Sequence, residues 1–174
     1  MADAIRFVAR FRVAIGFACG IAVFWFAAPT RTSIAVGLPV AFAGEMIRVW
    51  AAGHLNKSRE VTRSGPYRFV AHPLYLGSSL IGVGLALGSG SATVVGIVAV
   101  YLLVTLTAAI RSEERSLREK FSIAYDEYRE RRVVDRERRF SWSRAMANRE
   151  YRAVAGVALA VLLLVWKATY NGMF

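Results

Sequence analysis

The sequence predicts an all-α fold: a polytopic transmembrane helical bundle of about five spans with a cytoplasmic amphipathic helix. Three observations lead there. The apolar share is 56%, above the roughly 45–50% usual for soluble domains. The charges are segregated from it, because apolar stretches of about 13–28, 34–52, 74–87, 92–110 and 153–166 alternate with charged connections. The basic residues also favour alternate connections: of 23 Lys and Arg, Arg31 and Lys167 alone fall at the ends facing away from the others. Helices and closed barrels are the structures that satisfy their backbone within lipid. The charge alternation places the N-terminus in the cytoplasm and the C-terminus on the opposite side.

The first stretch follows Arg6, Arg10 and Arg12 and ends at Ala27-Ala28, a pattern shared with signal peptides. A retained span is expected, since five crossings fit the charge distribution without cleavage. Cys19, the single cysteine, lies inside this stretch. It therefore excludes a disulfide framework and a cysteine metal site and reads as packing. In the second stretch Glu45 and Arg48 are three residues apart, on one helical face. Ionisable residues in a span pair with one another or face a cavity. These two either tie spans together or touch a ligand.

The third stretch, Leu74 to Leu87, is short for a full crossing, which takes about 20 residues. Its Gly77, Gly82, Gly84 and Gly88 permit close packing or leave room for a ligand. Ser89-Gly90-Ser91 makes a tight outer turn, so the third and fourth spans form a hairpin. Beyond the fourth span, Leu117, Phe121, Ala124, Tyr125 and Tyr128 recur at helical spacing, the mark of an amphipathic helix. The arginine-rich run 129–139 suits anionic headgroups. Trp142, Tyr151, Trp166 and Tyr170 stand where interfacial aromatic belts belong. The expected organisation is one membrane domain over 1–174, with cytoplasmic catalytic-face segments at 54–72 and 111–150 and a last span at 151–174. The net charge of +11 is accounted for by residues flanking spans. No nucleic-acid motif accompanies it, so nucleic acid is not an expected partner.

Two inner-face clusters carry the potential chemistry. Gly65 to Gly77 contains Gly-Pro-Tyr and His-Pro-Leu-Tyr, and Glu113-Glu114 closes the fourth span. A hairpin brings its two ends together, so both clusters are expected at one polar boundary. Each alone has a plain account: Pro73 starts a helix, and the acidic pair answers Arg111, Arg115 and Lys120 at helical spacing.

Taken together, Arg48-Val49-Trp50-Ala51-Ala52-Gly53, Ser64-Gly65-Pro66-Tyr67, His72-Pro73-Leu74-Tyr75-Leu76-Gly77 and Glu113-Glu114-Arg115-Ser116-Leu117, in this order, resemble the isoprenylcysteine carboxyl methyltransferase family over about 44–132. The resemblance implies an integral membrane enzyme that transfers a methyl group from S-adenosylmethionine to a lipophilic acceptor. It implies Tyr67, His72, Pro73, Leu74, Tyr75 and Glu113 in cofactor binding, with 59–62 as an approach segment. Arg48 and Arg111 are candidates for positioning an acidic acceptor, and Glu114 for ordering the pocket. Two positions depart from the family pattern, Ala71 before His-Pro and Ala109 four residues before Glu113, and both bear on the acceptor. A carboxylate acceptor is expected; it is already ionised at neutral pH and needs no general base. The alternatives are a phospholipid N-methyltransferase, a nicotinamide-dependent membrane reductase of sterol-reductase type, and a non-catalytic scaffold that binds lipid headgroups.

Overall fold

The computed structural model describes residues 16–56, 60–129 and 138–172, the stretch 122–129 as backbone only. The arginines before the first span, Arg59, most of the run 129–139, and the side chains of Ala124, Tyr125 and Tyr128 lie outside the described residues. All regular structure among the described residues is helical. The helices are α1 (Gly16–Phe26), α2 (Arg31–His54), α3 (Pro73–Gly88), α4 (Ala92–Arg129), α5 (Trp142–Ala147) and α6 (Tyr151–Tyr170), with a short 3-10 turn at Gly65–Arg68 before α3.

α2, α4 and α6 are long and apolar enough to cross a membrane, whereas α1 and α3 are shorter apolar helices. α3 has 16 residues, about 24 Å at the usual rise and less than the roughly 30 Å hydrocarbon core. Large apolar side chains such as Trp25, Phe42, Leu103 and Leu162 are exposed on the outside, as lipid rather than water as solvent requires. The amphipathic helix expected beyond the fourth span is the continuation of that span. α4 runs unbroken for 38 residues, about 57 Å, so its charged part projects from the same rod that crosses the bundle.

The core is the antiparallel pair α2 and α3. Thr30 starts α2 with a reciprocal cap: its Oγ1 accepts from the Ser33 amide at 3.0 Å, and Ser33 Oγ accepts from the Thr30 amide at 2.9 Å, which satisfies two orphan donors. Gly37, Ala41 and Gly44 of α2 then face Gly77, Gly84 and Gly88 of α3. A Cβ on Gly44 would lie 2.6 Å from the Gly77 carbonyl oxygen, and one on Gly77 would lie 2.6 Å from that of Gly44. The backbones thus meet without intervening side chains, the close approach that small residues allow in lipid. At the far end Gly90 has φ 64°, and the α3–α4 turn is tied down by Ser33 Oγ donating to the Gly88 carbonyl and the Ala28 amide to that of Ser89.

The opposite end of α2 is closed by α5. Asn148 Nδ2 donates to the carbonyls of Ala52 and Leu55, both at 2.9 Å, and Arg144 Nε to that of Gly53 at 2.8 Å, filling the acceptors a helix end leaves open. α6 repeats this device for α1: Lys167 Nζ donates to the Phe24 and Trp25 carbonyls while Trp166 stacks on Phe24.

α5 itself ends in a Schellman motif, with the Arg149 amide bonded to the Met146 carbonyl and the Glu150 amide to that of Ala145. Arg149 therefore takes φ 60°, a left-handed conformation that costs an L-residue about 1–2 kcal/mol. Arg149→Gly is expected to raise stability by about 1 kcal/mol, read as a higher melting temperature in detergent.

Candidate active site

The residues singled out in the sequence converge at the α3–α4 end that opens away from Gly90. His72 caps α3 with φ −130° and Pro73 occupies the first turn, where its missing N–H costs nothing. Pro73 is fully buried and fixes the angle at which α3 leaves the loop. His72 Nε2 lies 3.3 Å from Glu114 Oε1, and its Nδ1 lies 3.9 Å from Glu113 Oε2. A carboxylate only accepts, so the Nε2 proton points to Glu114. Neighbours in sequence, the two glutamates reach the same imidazole from a separation of about forty residues. The Tyr75 ring stands 5.7 Å from the His72 ring.

His72, Tyr75 and Glu113 border a cleft of about 1620 Å³, with Glu114 behind the imidazole. Its polar end carries Thr62, Tyr67, His72, Leu74, Tyr75, Glu113 and Lys120; its apolar end is walled by Phe17, Ile21 and Phe24 of α1, Leu102 and Leu106 of α4, and Leu159 and Leu163 of α6. Gly82 lies on this wall too, facing Leu102, so the α3 glycines divide between packing against α2 and opening the cleft. Leu117 and Phe121 extend the wall along α4.

Between the two ends stands Arg48. Its Nε donates to Glu150 Oε1 at 2.7 Å, its Nη2 to Glu150 Oε2 at 3.2 Å, and its Nη1 to Ser78 Oγ. This is a two-pronged guanidinium–carboxylate pair, with side-chain exposures of 19% and 8%. Of the two roles open to this pair, Arg48 takes the tie between spans, reaching across to the start of α6, whereas both carboxylate oxygens of Glu45 are buried without a hydrogen-bond partner. Arg111 is exposed and does not border the cleft; it stands on the far side of α4 from Glu113.

Sequence reasoning found the His72 cluster and, in the approach segment 59–62, Glu60 and Thr62; it missed Glu150, Ser78 and Asn148, all of which touch the cleft or its supports. One signal was available for Glu150: it is the single acidic residue between 138 and 174 and immediately precedes the last apolar stretch. The contacts of the approach segment were not readable, because its placement depends on how 55–71 folds back. His54 Nδ1 meets Ser64 Oγ at 3.2 Å, Thr62 Oγ1 accepts from the Asn56 amide at 3.2 Å, and Arg138 pairs with Glu60. Gly65, at φ 57°, packs directly on the His54 ring, where no side chain fits. No cluster of metal-ligating side chains occurs among the described residues.

A family model described as phospholipid methyltransferase matches residues 11–124, more than half of the chain. The nickel-cobalt-cadmium resistance protein NccN of Alcaligenes xylosoxydans xylosoxydans is 33% identical over 109 residues, covering 62% of this chain and 49% of that protein. The chain thus spans about half the length of that relative. No solved structure matches it.

Proposed function

Because the chain belongs to the phospholipid methyltransferase family, we propose that it is an integral membrane methyltransferase that uses S-adenosylmethionine and methylates a lipophilic acceptor delivered from the bilayer. The observation that carries this reading is the single cleft joining the Tyr67–His72–Tyr75–Glu113 cluster to an apolar wall built by α1, α4 and α6. One end suits a polar, cationic nucleotide and the other a lipid chain. The basic connections support placing the polar end in the cytoplasm, where that nucleotide is dissolved.

The donor set fits the cofactor. S-adenosylmethionine supplies a methyl group on a sulfonium centre, which leaves as the carbon–sulfur bond breaks and sulfur keeps the electron pair. Glu113, 43% exposed, is the carboxylate for an ammonium or ribose hydroxyls. Tyr67 and Tyr75 provide aromatic faces toward a cation, and Lys120 a positive charge for the carboxylate. The hydrogen bond to Glu114 fixes the His72 ring, so Leu74 and Tyr75 present a preset edge to the cleft. The work left to the protein is to hold donor and acceptor in line and keep water out, which supplies a large effective molarity.

S-adenosylhomocysteine is expected to bind the purified protein, and Glu113→Ala and Tyr75→Ala each to weaken that binding about 10- to 100-fold, the worth of a charge-assisted contact. Incubation with labelled methyl donor and a lipid extract should label a lipid. A wild-type protein that neither binds S-adenosylhomocysteine nor labels any lipid would overturn the reading. Binding that is unchanged in both variants would remove these residues from the site.

A further inference from the structure

The cleft that begins at the His72 cluster is blind at its other end. Its lining stops at Phe24 on α1, Leu85 on α3, Val98 on α4 and Leu164 on α6. About one turn further along, the same elements close on one another: Ala27, Ser89, Val94 and Ala168 are all buried. The Ala28 amide donates to the Ser89 carbonyl at 2.8 Å, and a Cβ on Gly90 would run into the Ala28 carbonyl oxygen. No lipid chain passes between them.

Phe24 stands at this closed end and is clamped from behind. Its ring stacks on Trp166 with centroids 6.3 Å apart and an interplanar angle of 15°, and Lys167 Nζ lies 5.0 Å from its centroid. The same ammonium donates to the Phe24 and Trp25 carbonyls. An indole against the ring and a cation over it hold the side chain in one place. Phe17 and Ile21, nearer the mouth on the same wall, are instead largely exposed. Glu113 and Val98 bound the α4 side of the apolar part. They stand about 22 Å apart at the usual helical rise, the length of a small head group and an extended saturated chain of about sixteen carbons.

We propose that Phe24 is a specificity-determining residue: its clamped ring is the floor of the acceptor site and sets the longest chain that the cleft takes in full. The proposal rests on reading the cleft as the acceptor site of a methyltransferase, and it makes no demand on the head group. Lipid is as apolar as the wall, so transfer out of the bilayer favours no length by itself. Fit does. A short chain leaves wall atoms without partners and forfeits their dispersion energy. A long one meets a ring that cannot yield without giving up Trp166 and Lys167, so its end must bend back or leave between helices.

The test uses a head of no charge. Full-length protein in neutral detergent is equilibrated with an equal mixture of straight-chain saturated alcohols from decanol to docosanol, and the lengths it retains are measured by gas chromatography against the micelles alone. Wild type is expected to retain lengths near sixteen carbons and to hold those beyond about eighteen roughly tenfold less well. Phe24→Ala should move this limit out by about two to four carbons, since a chain can enter the space the ring leaves. Phe24→Trp should move it in. Phe17→Ala, on the same wall but short of the floor, should lower the amount retained and leave the limit where it is. Equal retention of all lengths by wild type overturns the proposal, as does no retention of any, or a limit that Phe24→Ala leaves in place. If Phe24→Ala does not fold, Phe24→Trp decides, and an unmoved limit there overturns the proposal too. Failure of wild type to bind S-adenosylhomocysteine sinks the methyltransferase reading instead, a separate result from the length limit.

Discussion

Gly44→Val is expected to destabilise the bundle by about 3 kcal/mol or more, beyond the usual cost of an overpacked core. The added Cβ would lie 2.6 Å from the Gly77 carbonyl oxygen and 2.7 Å from the Ile81 amide nitrogen. Both are backbone atoms, so relief requires α2 and α3 to separate along their length rather than a side chain to turn. Separation would open the core pair and displace Arg48, one turn along α2, from Ser78. Gly96→Ala is the matched control, since a Cβ there meets nothing within 4 Å. That change should be neutral or stabilising by up to about 1 kcal/mol through helix propensity. Detergent unfolding curves for the two variants check the contrast. Equal stability of Gly44→Val and wild type would show that the close α2–α3 approach is not a constraint.

Arg48→Met is expected to cost about 3–5 kcal/mol, the usual penalty for removing one partner of a buried ion pair. The variant leaves the buried Glu150 carboxylate without its cation, so the loss exceeds that of a solvated pair. Arg48→Met combined with Glu150→Leu should recover most of the stability, because a buried pair exchanged for apolar groups of similar size is often neutral. The double variant is nevertheless expected to lose methyl transfer, since the cleft keeps its shape and loses the polar wall between its two ends. Unfolding of the two single variants and the double variant gives the cycle. A double variant as unstable as the sum of the singles would show that no direct coupling joins these side chains.

Much of the fold was legible because its signals are local. Apolar runs, Ser89-Gly90-Ser91 and Pro73 announced α2, α4, α6, the α3–α4 hairpin and the start of α3. The hairpin also made it possible to place His72 beside Glu113 without any coordinates, since the two ends of a hairpin must meet. The helical spacing of Leu117 and Phe121 carried the pattern on past Arg111, and α4 does continue there, since a helix runs through a change of solvent when its backbone and propensities allow. Arg48 was noticed as a residue that ties spans together or touches a ligand, and it does tie α2 to the start of α6, but the sequence did not name its partner. Helical spacing points to Glu45, three residues away, but Gly77 removes the side chain that would otherwise separate Arg48 from α3, and the guanidinium extends past it to Ser78 and Glu150. Such a partner, about a hundred positions along the chain, leaves no periodic trace.

The hold on Arg48 has a bearing on how the molecule should be dissected. Glu150 and Asn148 both come after residue 124, where the recognisable family segment stops, yet one grips a guanidinium inside that segment and the other seals the end of its principal helix. A fragment trimmed to the family match would keep every motif by which its kinship is read and would lose the clasp that shapes its interior. The segment that carries the family likeness is thus held in shape by side chains that lie outside it.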